Sequence, residues 1–140
     1  MPSHFPYTPS FWLHVIGAFI ATEVVMVGCA FAWVFIYSVT LHTTGDAAYY
    51  EAYARTASPV VAVVMAFPVF FAAGRWLSRL GALSLAAALW VVGINLALDA
   101  AVIATAAFDP LYVGVLAAAA AVLKAVGAWL GSTRRATSSA

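Results

Sequence analysis

Charged side chains are scarce in this sequence. Of its 140 residues only 8% are Asp, Glu, Lys or Arg, whereas 66% are hydrophobic; a soluble domain would carry about 25% charged residues. The chain is therefore predicted to lie in a lipid bilayer. Its net charge of +1 comes with no basic stripe that would neutralise a phosphate backbone, so a nucleic acid partner is not expected.

Cysteine and clustered catalytic residues are also scarce. The single cysteine, Cys29, allows no intramolecular disulfide and is predicted to be a buried structural thiol. His4 and His42 are predicted to lie on opposite sides of the membrane, and His14 has no second ligand at a suitable depth for haem. The sequence offers no nucleophile with a nearby base, no metal-ligand cluster and no phosphate-binding loop. We therefore expect neither an enzyme nor a cofactor held by one chain.

Long apolar runs make up most of the sequence. Because a helix rises 1.5 Å per residue, about 20 apolar residues cross a hydrocarbon core of about 30 Å. We predict an all-α bundle of four membrane helices, after an extended segment over residues 1–10 and before a disordered tail over residues 132–140. The predicted spans cover residues 11–41, 59–77, 83–107 and 111–131. Pro68 should kink the second span, and Leu80-Gly81 is the expected break before the third.

The distribution of basic residues predicts the orientation of the chain. Arg75 and Arg79 flank one predicted loop, and Arg134 and Arg135 lie in the tail. The loops on the opposite side, including a polar stretch at 42–58 with a short interfacial helix, carry three acidic residues and one arginine. By the positive-inside rule both termini are then cytoplasmic. The abundance of Ala and Arg with almost no Lys favours a bacterial source, and hence the bacterial inner membrane.

Three ionisable residues lie within the predicted spans: Glu23, Asp99 and Lys124. A charge at the bilayer centre costs from about 2.5 to more than 10 kcal/mol, so such residues usually face a protein interior, a water-filled cavity or each other. Asn95 precedes Asp99 by four residues, which places both on one face of a helix. This polar face is expected to be turned away from lipid.

Two functions are compatible with these residues. In the first, Glu23 and Asp99 exchange a proton or cation while Lys124 biases their ionisation, as in a transporter or channel-like protein that forms a homo-oligomer. In the second, the charges form structural pairs, such as Glu23 with Lys124, in a non-catalytic accessory or assembly subunit of a larger membrane complex. Lys124 is also near enough to the end of its span for its long side chain to reach the interface. Asn95 and His14 are candidate supporting polar residues.

The first and third spans share a sequence pattern that predicts an internal repeat. Residues 13–17 (LHVIG) and 21–23 (ATE) align with residues 89–93 (LWVVG) and 97–99 (ALD), so that Glu23 corresponds to Asp99. This match predicts a parallel duplication of a two-helix unit about an axis along the membrane normal. The alternative is chance similarity between helices rich in Ala, Val and Leu.

Overall fold

Long α-helices account for nearly all of the chain described by a computed structural model, which covers residues 7–40, 45–105 and 110–133. Over these ranges there are three continuous helical stretches, each long and apolar enough to cross a membrane. We name the helices α1 (Pro9–Thr40), α2 (Ala47–Leu77), α3 (Ser84–Thr105) and α4 (Pro110–Thr133). Most of the predicted connection between residues 107 and 111 and the tail from residue 134 onward lie outside the described residues, as do residues 1–6 of the lead-in.

The middle helical stretch is a single bent helix of 59 residues. Its two arms, α2 and α3, are joined by a 3-10 segment, Ser78–Leu83, in which Gly81 has φ 63° and ψ −122°. A residue with a Cβ atom rarely adopts this positive φ, whereas glycine adopts it readily. Gly81 therefore permits the bend. The break predicted at Leu80-Gly81 is thus present, because Gly81 leaves the helical conformation and the two arms continue in different directions from it.

Both α1 and α2 begin earlier than predicted. Pro9 opens α1, where its missing N–H costs nothing, and the Thr8 hydroxyl accepts from the Phe11 N–H at 3.4 Å. Asp46 caps α2 by accepting from the Tyr49 N–H at 2.9 Å. The expected interfacial helix is therefore the first part of α2 itself, which continues through Pro59 and Pro68. Pro59, predicted for the first turn of a span, lies in the helix interior.

Side-chain contacts establish the direction of each helix. The Trp33 indole donates to the Tyr53 hydroxyl at 2.9 Å near one end of the bundle, and the His14 ring lies 5.6 Å from that of Trp76 near the other, so α1 and α2 are antiparallel. The Trp12 and Trp90 rings, whose centroids are 5.2 Å apart, lie at the same end as His14. Helix α3 accordingly runs parallel to α1 and opposite to α2.

Helix α4 packs most closely against α2, along which it runs in parallel. The contact depends on glycines of both helices, because a Cβ on Gly74 would lie 2.5 Å from the Ala128 carbonyl oxygen and one on Gly127 would lie 2.7 Å from that of Phe67. Small residues at such positions let two membrane helices approach until their backbones touch. The Ser84 hydroxyl also donates to the Ser132 carbonyl at 3.3 Å, which places the start of α3 beside the end of α4.

The apolar core occupies one end of the bundle. Its buried side chains come from the first half of α1, the second half of α2, the first half of α3 and the end of α4. The largest are Phe11, Val15, Phe70, Leu77 and Val91. We call this region the packed half; the remaining half of α1 contributes no buried residue among those described.

The close α2–α4 contact gives a prediction about stability. Gly127→Ala should destabilise the protein by about 1–3 kcal/mol, because the new methyl group would displace the α2 backbone. Gly114 is a matched control on the same helix, since nothing lies within 4 Å of a Cβ placed there. Gly114→Ala should be neutral or stabilising by up to about 1 kcal/mol. Thermal unfolding in detergent, followed by circular dichroism, tests both; equal midpoints for the two variants would contradict backbone contact at Gly127.

Candidate functional site

Four polar side chains from three helices form one chain of hydrogen bonds inside the bundle. The Lys124 ammonium on α4 donates to Asn95 Oδ1 and to Asp99 Oδ2 on α3. The Asn95 amide Nδ2 in turn donates to Glu23 Oε1 on α1. We call Glu23, Asn95, Asp99 and Lys124 the polar cluster.

The positions of the helices explain why these residues meet. Asn95 and Asp99 are one turn apart on α3, so they face the same direction, and α3 contacts both α1 and α4. Lys124 and Asn95 are each only 2% exposed, and the Lys124 Nζ lies 5.5 Å from the centre of the Phe70 ring, a distance at which the ring face attracts a cation. The Lys124 side chain is therefore directed into the bundle and does not extend to the interface.

The charges of the cluster are not balanced. Two carboxyl groups accompany one ammonium, so the cluster carries one excess negative charge when all three groups are ionised. Asp99 contacts the ammonium directly, whereas Asn95 stands between the ammonium and Glu23. The direct ion pair considered for Glu23 and Lys124 is not formed. Instead of pairing with the ammonium, Glu23 accepts a hydrogen bond from the neutral amide of Asn95.

A cavity of about 480 Å³ begins at the polar cluster and extends away from the packed half. All four helices line it: α1 from Glu23 to Val34, α2 from Ala54 to Ala62, α3 from Asn95 to Ile103, and α4 from Val113 to Lys124. The Asp99 side chain, 41% exposed, borders this space. Phe70, which contacts Lys124 on the side of the packed half, is fully buried and does not line the cavity. The polar cluster therefore forms the base of the cavity and its boundary with the packed half.

Aromatic residues join α1 to α2 beside the far end of the cavity. The Tyr37 and Tyr53 rings stack with centroids 3.7 Å apart, and the hydroxyl oxygens of Tyr37 and Tyr49 are 2.8 Å apart. Val34 and Ala54, which line the cavity, are the sequence neighbours of Trp33 and Tyr53. These contacts hold the outer part of α1, which otherwise packs loosely, against α2.

His14 does not belong to the polar cluster. It lies in the packed half, where its Nδ1 donates to the Ser10 carbonyl oxygen at 2.7 Å. Within the ranges that the structure covers, no group of three or more His, Cys, Asp or Glu side chains is arranged to hold a metal ion. The chemistry available at the site is thus that of two carboxyl groups, an amide and an ammonium.

The sequence indicated the charged residues but not the cavity. Several of its lining positions are alanines, including Ala30, Ala62, Ala117 and Ala120, and alanine is common throughout these helices. Small residues on facing sides of several helices are the signal for such a space, but that signal can be recognised only when the helix neighbours are known. Asn95, expected to have a supporting role, is the link between the other three residues.

Comparison with protein-family models, with curated proteins and with solved structures found no match to this chain. Its helices are nevertheless those of a possible multi-pass membrane protein, by length and hydropathy. The polar cluster and the cavity are therefore the basis on which a function can be proposed.

The buried part of the cluster gives a second prediction about stability. Lys124→Met should destabilise the protein by about 1–3 kcal/mol, less than the loss from a fully buried ion pair because Asp99 is 41% exposed. The double variant with Asp99→Asn and Lys124→Met should lose less unfolding free energy than the sum of the losses in the two single variants. Chemical or thermal unfolding of the four proteins gives the coupling energy.

An exposed ion pair in the same chain provides the control. Glu51 and Arg55 form a pair whose side chains are 66% and 64% exposed, and such pairs couple by about 0.2–1 kcal/mol. The same cycle with Glu51→Gln and Arg55→Met should give the smaller coupling. If the two cycles give equal coupling, Lys124 and Asp99 do not form a buried pair.

Proposed function

We propose that this chain is a proton- or cation-linked transporter or channel-like protein in which Glu23 is the exchanging group. The observation that supports it is the excess negative charge of the polar cluster at the base of a cavity. In a medium of low dielectric constant, two neighbouring carboxylates with only one cation are costly. The cluster therefore favours a bound proton or a bound cation.

The hydrogen bonds assign different parts to the two carboxyl groups. Asp99 is neutralised by the ammonium of Lys124, which also holds Asn95 in place. In the part of the chain that the structure describes, Glu23 accepts a side-chain hydrogen bond only from the neutral amide of Asn95, so the excess charge is assigned to Glu23. Lys124 acts as a positioning residue, because its ammonium holds both Asn95 and Asp99.

A four-span arrangement follows if α2 and α3 each cross the membrane. The bend at Gly81 reverses the chain direction, and the four helices then alternate up and down. With Arg75 and Arg79 at the cytoplasmic end, both termini are cytoplasmic and the cavity opens to the opposite side. Release toward the cytoplasm would require the packed half to rearrange, since Phe11, Val15 and Phe70 close that route.

A structural role as an accessory or assembly subunit is the second candidate. It is favoured by the finding that, across the described ranges, no buried side-chain nitrogen or oxygen lacks a hydrogen-bond partner. Complete satisfaction is what a network that fixes helix register requires. In that role, the cluster would exchange no proton near neutral pH, and its substitution would only weaken folding or assembly.

Proton exchange by the purified protein distinguishes these two functions. Small pH steps around neutrality, or additions of Na⁺ or K⁺, should cause uptake or release of protons that exceeds the exchange of Glu23→Gln by up to about one proton per chain in non-ionic detergent. The difference between wild type and Glu23→Gln cancels the exchange by all other titratable groups, and Asp99→Asn should alter this difference by leaving Lys124 to pair with Glu23. A pH-indicator dye in weak buffer measures the exchange.

Glu51→Gln is the matched control, since it removes an exposed carboxylate outside the cluster. It should retain the wild-type exchange. The proposed function is wrong if Glu23→Gln and wild type exchange equally, including the case in which Glu23→Gln lowers the unfolding midpoint.

A further inference from the structure

We infer that the cavity binds an organic amine in its protonated form, with the ammonium group at Glu23 and Asp99 and the apolar part against the cavity walls. This inference rests on the function proposed above, because the amine would occupy the site of the exchanged cation. It adds the chemical class of the ligand: a monocation with N–H donors and an apolar body.

The walls of the cavity distinguish an organic cation from an inorganic one. Away from the polar cluster they are formed mainly by apolar side chains, such as Met26, Phe31, Val34, Ile103 and Leu116. An inorganic ion gains nothing from such walls, whereas an apolar ligand gains about 25 cal/mol for each Å² that it removes from water. The volume of about 480 Å³ lies within the range of about 300–1,000 Å³ that is typical of small-molecule sites.

The excess negative charge of the polar cluster, which lies at the bottom of the cavity, requires the ligand to be a cation. One monovalent cation would bring the charge of the polar cluster from −1 to neutral. An anion would meet two carboxyl groups, and a neutral ligand would leave the excess charge uncompensated. The ammonium of Lys124 is 2% exposed and already bonded to Asn95 and Asp99, so it offers an anion little access.

The carboxyl oxygens favour an amine with N–H groups. Within the described parts of the chain, Glu23 accepts through Oε1 and Asp99 accepts through Oδ2, which leaves Oε2 and Oδ1 for a ligand. A primary ammonium has three N–H donors and can form charge-assisted bonds to both. A quaternary ammonium of similar size has none, so it should bind more weakly.

A set of probes that share one naphthalene group tests the inference on the full chain in non-ionic detergent near neutral pH. The probes are 1-naphthylmethylamine, its trimethylated quaternary derivative and the neutral alcohol 1-naphthalenemethanol. Binding is followed by isothermal titration calorimetry, with protein-free micelles as the blank. The amine should bind at least about tenfold more tightly than the alcohol, with the quaternary compound between them.

Two alanine substitutions locate the binding. Ala117 lines the cavity, so Ala117→Phe should weaken amine binding by about tenfold or more by filling the space. Ala118 is the adjacent, exposed residue of α4, and Ala118→Phe should leave the affinity unchanged. Glu23→Gln should also weaken binding of the amine, but not that of the alcohol.

Equal affinities for amine and alcohol would overturn the inference, as would equal effects of Ala117→Phe and Ala118→Phe. Equal affinities that both fall in Ala117→Phe would identify the cavity as a site for lipid or detergent chains. Glu23-dependent proton exchange without amine binding would overturn the amine site alone. Amine binding that depends on Ala117, in a protein whose proton exchange does not depend on Glu23, would overturn the proposed exchange and leave the cation site standing.

Discussion

The burial of the Lys124 ammonium is the interaction on which the interior of this bundle depends. A buried ammonium is costly unless hydrogen bonds and an opposite charge replace its water, and here Asn95, Asp99 and the Phe70 ring do so. Because these partners lie on α3 and α2, the ammonium fixes where α4 lies along both helices. The glycine contacts of α4 allow the approach that this requires, since a larger residue at Gly127 would move α4 away from Phe67.

The same interaction separates two parts of the bundle with different properties. On one side of the polar cluster, aromatic and branched side chains fill the space between the helices. On the other side, alanines of α1, α2 and α4 leave a cavity, and the outer part of α1 is held mainly by tyrosine and tryptophan contacts. The packed half fixes the positions of the helices, and the polar cluster lies at its boundary with the cavity.

The sequence predicted which segments form apolar helices and which ionisable residues lie within them. It did not predict which helices are neighbours or which side chains contact each other. Apolar length is a local property, and so is the spacing that puts Asn95 and Asp99 on one face. The start of α2 was predicted wrongly because the tyrosine-rich segment before Pro59 is polar enough to suggest a loop, although Asp46 caps a helix there. The partners of Lys124 depend on which helices are neighbours, which hydrophobic periodicity does not encode when most residues are Ala, Val or Leu. The internal repeat that pairs Glu23 with Asp99 stays a prediction.

Charge balance is the strongest reason to regard the polar cluster as more than a structural device. Lys124, Asp99 and Asn95 alone would form a neutral group that satisfies the ammonium and links α3 to α4. Glu23 adds a second carboxyl to these three residues, and it accepts a hydrogen bond from the neutral amide of Asn95. For stability alone, an uncharged side chain that accepts the same hydrogen bond would serve better, because it adds no charge to a medium of low dielectric constant. A second carboxyl group at the base of a cavity is therefore the observation that supports the proposed binding of a proton or a cation.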